Sequence, residues 1–231
     1  MVLYAYAILA QPETPLVLPQ GMQQPVQVIE AASLAVVVEP DVRLELGESS
    51  DPPIMQRQVQ QVLTHDRVLQ ELFAQTTILP LRFGICFATI ADVEHHLTAQ
   101  ATYYAQQLAR LHHQAEYTLK LQRRPEEPIA PESASLKGRD YFLARKQQYQ
   151  QQSVQQAQQN QELTQIQAEL ATFASDVRLG NSTSDQAIWH LLVPLEQAEG
   201  LYHHVLDWQG RLTHWNLEAI GPLPPHHFVT T

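Results

Sequence analysis

The chain has 231 residues, of which 44% are hydrophobic and 16% are charged, and its formal net charge is −10 at pH 7. This composition predicts a globular protein that buries a core in one large domain or two small ones. The acidic excess argues against a nucleic-acid partner and against an anionic membrane surface, because both are bound mainly through Lys and Arg.

The single cysteine, Cys86, excludes an intrachain disulfide and is typical of a cytoplasmic protein. We expect no signal peptide, since no basic stretch precedes the apolar start of the chain. We expect no membrane-spanning segment either, because no apolar run approaches the roughly 20 residues that cross a bilayer.

The first half of the chain predicts a modified ferredoxin-like α+β domain over residues 1–122. Tyr4 and Tyr6 are expected on one face of the first strand, because side chains alternate along a strand. Residues 11–25 hold four prolines and predict a loop in place of the first crossover helix. The predicted elements are strands at 2–9, 26–29, 34–39, 77–87 and 116–122, and helices at 54–74 and 93–111.

The two helices are predicted from apolar residues that recur at helical spacing. In the helix at 54–74 these residues are Val59, Val62, Leu63, Leu69, Leu72 and Phe73. In the helix at 93–111 they are Val93, Leu97, Ala101, Tyr104, Ala105, Leu108 and Leu111. Thr89 or Asp92 can cap this second helix.

Residues 77–87 are apolar on both sides of one charge, Arg82, and predict a buried strand. Pro80 cannot donate to a ladder, so we expect it at a sheet edge or a bulge, and Gly84 allows a bend. Arg82 is expected to pair with a carboxylate if it points inward, or to mark a surface if it points outward. Cys86, within this apolar run, is expected to behave as a small hydrophobe.

The second half predicts a smaller α+β domain over residues 137–231, after a Pro-rich linker at 123–136. A long helix is predicted at 137–173, with an apolar stripe near its end formed by Leu163, Ile166, Leu170 and Phe173. Its Gln-rich middle is expected to be solvated, packed against a partner helix, or disordered. Strands are predicted at 177–179, 187–195 and 211–220, a helix at 195–208, and a Pro-rich tail after them.

No residue pattern predicts catalysis, a metal site or a cofactor. The eleven histidines include four adjacent pairs, and neighbours on a helix point about 100° apart, so they are poor metal ligands. We therefore expect solvated histidines. The chain has no Gly-x-Ser-x-Gly, P-loop or Gly-x-Gly-x-x-Gly motif. A metal- or thiol-dependent hydrolase is the alternative function.

Four segments in order resemble the gas vesicle protein F/L family, the accessory proteins of gas vesicle assembly. The run Leu-Pro-Leu-Arg-Phe-Gly at 79–84 is similar to a family signature, and residues 2–8 are similar to the family's first strand. Residues 137–146 resemble the start of its second half. The end, Gly-Pro-Leu-Pro-Pro-His-His-Phe at 221–228, is close to the family terminus, with Leu223 in place of Trp and His226 in place of Tyr.

The resemblance implies a cytoplasmic accessory or minor structural protein, associated with gas vesicles and so with cell buoyancy. Its expected partners are the small hydrophobic shell subunit and other gas vesicle assembly proteins. The candidate interaction residues are Leu79, Leu81, Arg82, Phe83, Leu223 and Phe228. Both segments that carry them have an internal alternative: the strand can be core, and the tail can strap across its own domain.

Overall fold

The computed structural model describes residues 2–45, 51–125 and 138–229, except the side chain of Asp140. Its strands are Leu3–Ala10 (β1), Gln27–Ala31 (β2), Leu34–Pro40 (β3), Ile78–Pro80 (β4), Cys86–Phe87 (β5), Gln114–Arg123 (β6), Asp176–Leu179 (β7), Gln186–Pro194 (β8) and Trp215–Leu223 (β9). Its helices are Pro52–Phe73 (α1), Ile90–Ala99 (α2), Ala101–Leu111 (α3), Arg139–Leu170 (α4) and Ala198–Arg211 (α5). The expected α+β class with a long helix is confirmed.

The chain divides into two compact units, one formed by Met1–Glu116 with Gly221–Thr231 and the other by Tyr117–Ile220. The C-terminal segment thus belongs to the first unit, which differs from the domain limits that the sequence predicts. Most of the predicted linker at 123–136 lies outside the described residues, so a boundary there stays a prediction.

The first unit contains a sheet with the order β2-β3-β1-β4, in which β5 also pairs with β1. Its strands pair antiparallel, and β4 lies at the edge, as Pro80 predicts. The ferredoxin-like arrangement is not confirmed. The strand at 116–122, predicted to complete this sheet, is part of β6 and lies in the other sheet, of order β7-β8-β6-β9.

A bulge in β1 changes the side chains that face α1 from even-numbered residues to odd-numbered ones. The register with β3 slips between Ala5 and Ala7, which leaves Tyr6 as the extra residue. Tyr4 and Tyr6 share one face, as predicted, and Ala7 and Leu9 then join the same cluster although their numbers are odd. This cluster packs against Val68, Leu69 and Leu72 of α1.

The predicted strand at 77–87 is wrong in its length. Only three residues form β4 and two form β5, and a turn between them spans the middle of the run. Gly84 has a φ of 95°, a conformation that glycine adopts without strain, so the chain bends where we expect. Cys86 is exposed and not a buried hydrophobe, because β5 lies beyond the turn at the surface.

The predicted helix at 93–111 is two helices, α2 and α3, separated at Gln100. Gln100 has φ −108° and ψ 12°, outside the helical region, and no Gly or Pro marks the break. Thr89 caps α2 by accepting a hydrogen bond from the Asp92 backbone N–H, as predicted. Val93 and Leu97 of α2 and Leu108 and Leu111 of α3 are buried.

The C-terminal tail packs within the first unit. Phe228 is fully buried, and Arg110 donates a hydrogen bond to its carbonyl oxygen. Glu116 is also buried and accepts from the His227 backbone N–H at 2.9 Å and from His227 Nδ1 at 2.6 Å. The tail is therefore internal, as one alternative predicts, but it packs in the first unit and not across the predicted domain at 137–231.

In the second unit, α4 is attached by its C-terminal part. Ile166 and Leu170 are buried, as the predicted stripe indicates. Trp208 of α5 donates to Glu169 at 2.6 Å, and Arg211 donates to the same carboxylate at 2.7 Å and 2.9 Å. The Arg211 guanidinium, with the Trp208 indole, lowers the pKa of Glu169 to about 2. In the described ranges, every helix is too short or too polar to span a bilayer.

Two buried tyrosines give opposite expectations on removal of their hydroxyl groups. Tyr6 donates to Glu39 at 2.5 Å, whereas the buried Tyr117 hydroxyl has no hydrogen-bond partner among the described residues. We expect Tyr6→Phe to lower the free energy of unfolding by about 1–3 kcal/mol and Tyr117→Phe to leave it unchanged or raise it. Urea denaturation measures both. An equal loss in the two variants would contradict this assignment.

Candidate functional site

The six candidate interaction residues divide into buried and accessible groups. Leu79, Leu81 and Phe228 are buried. Phe83 and Leu223 are half-buried, and Arg82 is exposed. We call residues 81–85 the signature turn. Its accessible part consists of Arg82, one side of Phe83, and Ile85, which is 39% exposed.

The signature turn is bound to β1 through backbone hydrogen bonds on both sides of the bulge. The Leu81 N–H donates to the Tyr6 carbonyl at 2.9 Å, and the Ala5 N–H donates to the Ile85 carbonyl at 2.9 Å. The turn places five residues between Pro80 and Cys86 where β1 has two between Tyr4 and Ala7, so its middle loops out from the sheet. This pairing fixes which residues of the turn point toward solvent.

A buried bridge of side chains supports the turn from beneath. Tyr4 Oη lies 2.7 Å from His65 Nδ1, and His65 Nε2 lies 3.1 Å from the Leu81 carbonyl oxygen. The Gly84 N–H donates to Tyr4 Oη at 3.4 Å. Phe83 packs edge-on against the His65 ring, with centroids 5.7 Å apart. The bridge joins β1, α1 and the turn.

These contacts assign the protonation state of His65. A carbonyl oxygen only accepts, so Nε2 carries the proton and donates to Leu81, and Nδ1 accepts from the Tyr4 hydroxyl. Burial disfavours the imidazolium, so the neutral ring is the favoured form. Burial lowers the pKa of His65, since the imidazolium would lose its hydration. We expected solvated histidines, and for His65 this is wrong.

A buried carboxylate holds the Pro-rich loop against the same network. Glu39 accepts from the Tyr6 hydroxyl at 2.5 Å and from the N–H groups of Met22, Gln23 and Gln24 at 2.7, 2.5 and 2.6 Å. A Cβ on Gly21 would lie 2.3 Å from Glu39 Oε2, so no larger residue fits there without movement. Four donors compensate for the burial of this charge.

Arg82 is the exposed charge of the turn. Its side chain points outward, and it forms no ion pair with any carboxylate of the described residues. The second of the two sequence-based alternatives for Arg82, a surface position, is therefore the one observed. An exposed guanidinium offers planar N–H donors that suit a carboxylate or a carbonyl oxygen of a partner.

An exposed apolar stripe on α1 adds to this surface and was not among the predicted site residues. Met55, Val59, Val62 and Leu63 are 50%, 58%, 41% and 56% exposed. Val62 lies one helical turn before His65, so the stripe begins one turn from the signature turn. A helical angle of 100° per residue does not reveal it, because Leu63 lies opposite the buried Leu72 but Val62 lies only about 20° from the buried Leu69.

The depressed pKa of His65 predicts a pH-dependent stability. A histidine whose pKa is lower in the folded than in the unfolded state contributes its full stabilisation of the fold above its ordinary pKa of about 6.5. That contribution is lost as the pH falls below this value, because the unfolded chain then binds the proton more readily. We expect the free energy of unfolding to fall between pH 7 and pH 5 and His65→Asn to reduce that slope. His95→Asn, at an exposed position, is the control.

Urea denaturation at several pH values measures these slopes. If His65→Asn does not fold, NMR titration of the native protein reports the same quantity. A His65 pKa at or above 6.5 in the folded protein would contradict the neutral bridge.

The chain resembles known proteins in its sequence and in its fold. A family model described as gas vesicle synthesis protein GvpL/GvpF matches residues 2–230. The fold is similar to the crystal structure of gas vesicle protein GvpF from Microcystis aeruginosa, with a TM-score of 0.72 and 19% identity over 98% of each chain. Gas vesicle protein GvpF from Anabaena sp. PCC7120 has a TM-score of 0.77 and 17% identity, over 100% of this chain and 96% of that chain.

Among curated proteins, none matches the chain. The two solved structures share its fold over nearly their full length, and the family model covers almost every residue. The chain belongs to the gas vesicle synthesis protein GvpL/GvpF family.

Proposed function

We propose that this protein assists gas vesicle assembly as an accessory or minor structural protein and binds the small hydrophobic shell subunit. The observation that carries the proposal is the exposed apolar stripe of α1, which ends one helical turn before His65, the residue that supports the signature turn and its exposed Arg82. Family membership supports the gas vesicle role. We place the protein in the cytoplasm, in association with gas vesicles.

The chemistry of this surface suits an apolar partner. Exposed aliphatic side chains on one helix face gain about 1–2 kcal/mol each when a partner removes them from water. Arg82 adds a directed hydrogen-bond donor at the edge of the stripe, which suits a carboxylate or backbone carbonyl of the bound subunit. Binding of this kind would shield an aggregation-prone subunit before its ordered addition to the shell.

The properties of Cys86 support an interaction role over a thiol hydrolase. Desolvation raises the pKa of its thiol, which lowers the fraction of the nucleophilic thiolate. The alternative, a metal- or thiol-dependent hydrolase, can be tested by metal analysis of the purified protein. Stoichiometric zinc would favour the hydrolase.

We expect Val59→Asp to weaken capture of the shell subunit at least about tenfold, because it places a charge in the apolar stripe. Arg82→Met should also weaken capture, with an unchanged melting temperature, since its side chain is exposed. The matched control is Val17→Asp, a 78% exposed valine of the same unit whose backbone binds Gln75, beyond the opposite end of α1 from the stripe. The measurement is a pull-down of purified shell subunit at low and moderate salt.

Capture should survive moderate salt, where surface ion pairs are screened and apolar contacts are not. Deletion of the gene from a vesicle-forming host should leave cells without buoyant vesicles. Normal vesicles in the deletion strain, together with no capture at either salt concentration, would overturn the proposed function. Equal loss in Val59→Asp and Val17→Asp would overturn the assignment of the surface.

A further inference from the structure

We infer that the first half of α4 binds an acidic amphipathic helix of another protein. This surface lies in the second unit, separate from the α1 stripe and the signature turn. It goes beyond the proposed function, because it gives the protein a second docking site with a partner of different chemistry.

The packing seam of α4 continues past the point where the helix leaves its unit. Two series run along one face at intervals of seven, as in the a and d positions of a coiled coil. In the C-terminal part of the helix, the first series consists of Leu163 and Leu170, and the second series consists of Gln159 and Ile166. Upstream, the first series continues through Phe142, Tyr149 and Gln156, and the second continues through Arg145 and Gln152.

The upstream part of this seam is exposed to solvent. None of the described side chains from 141 to 158 is buried, and Phe142 and Tyr149 are 74% and 60% exposed. At 1.5 Å per residue this stretch is roughly 27 Å long. Isolated helices of this length are marginal in water and are usually stabilised by packing of one face. A continuous seam whose first half is exposed to solvent favours the binding of a second helix against that half.

Arg145 lies in the middle of the exposed seam and is held in place by its neighbours. It donates to the hydroxyl groups of Tyr141 at 2.8 Å and Tyr149 at 3.4 Å, and its guanidinium carbon is 5.7 Å from the centre of the Tyr149 ring. Phe142, Arg145, Lys146 and Tyr149 line one groove along the helix. Tyrosine and arginine in this arrangement are typical of interface hot spots.

The charge of this stretch of α4 indicates the chemistry of its partner. Residues 141–161 contain two basic residues, Arg145 and Lys146, and no acidic residue, although the chain as a whole carries −10. Among the described residues, neither cation pairs with a carboxylate. The exposed stretch of a second α4, residues 141–161, would bring no carboxylate, and Glu162 and Glu169 further along the helix already bind His214 and Arg211. A helix with an apolar seam flanked by Glu or Asp supplies both the contacts and the charge that the groove lacks.

The probe is a synthetic helix of three heptads with Leu at a and d and Glu at e and g, with a twin that carries Lys in place of Glu. The Glu side chains disfavour pairing of the peptide with itself. We expect the full-length protein to bind the Glu peptide at least tenfold more tightly than the Lys peptide by fluorescence anisotropy. Arg145→Glu and Phe142→Ala should each reduce this affinity at least fivefold.

Two variants serve as controls. Arg82→Glu makes the same change in net charge on the other unit, and Gln147→Ala lies on the opposite face of α4, about 200° from Arg145. Both should bind the Glu peptide as the native protein does. Shell-subunit capture, tested with Val59→Asp, fails or succeeds independently of this result.

Three outcomes would overturn the inference. Equal binding of the Glu and Lys peptides, or binding of neither, would remove the acidic helix as the partner. An equal effect of Arg145→Glu and Arg82→Glu would mean that only net charge matters. Self-association of the native protein that Arg145→Glu abolishes would assign the face to a second copy of the chain.

Discussion

The hydrogen-bonded bridge from Tyr4 through His65 to Leu81 is the constraint on which the candidate surface of the first unit depends. It joins the first strand, α1 and the signature turn, which are far apart in the sequence. Its polar atoms are paired within the bridge, and burial favours the neutral imidazole. The turn can therefore expose Arg82 while Leu81 remains buried.

Both proposed docking surfaces have the same physical origin. In α1 and in α4, one end of the helix is buried and the other carries apolar or aromatic side chains in water. Val68, Leu69 and Leu72 hold α1, and Ile166 and Leu170 hold α4. Exposed apolar groups that the fold leaves uncovered are characteristic of interaction sites.

The errors of sequence interpretation share a cause. Residues 77–87 are apolar enough for one strand, but the turn at Gly84 and the bulge at Tyr6 divide them between two short strands. Helix periodicity continues across Gln100, so the break between α2 and α3 has no local signal. Strand propensity identified β6 correctly but could not decide which sheet it joins. Each of these features is set by distant contacts.

By itself, the sequence determined the α+β class, the long α4 helix, the limit of Pro80 to a sheet edge or a bulge, and the resemblance to a family. These depend on local periodicity, on the missing N–H of proline and on short motifs. Only the tertiary structure decided that His65 is buried and neutral, that Phe228 is covered and that the stripe of α1 is exposed. Burial is a property of what packs against a side chain, and those neighbours come from segments tens of residues away.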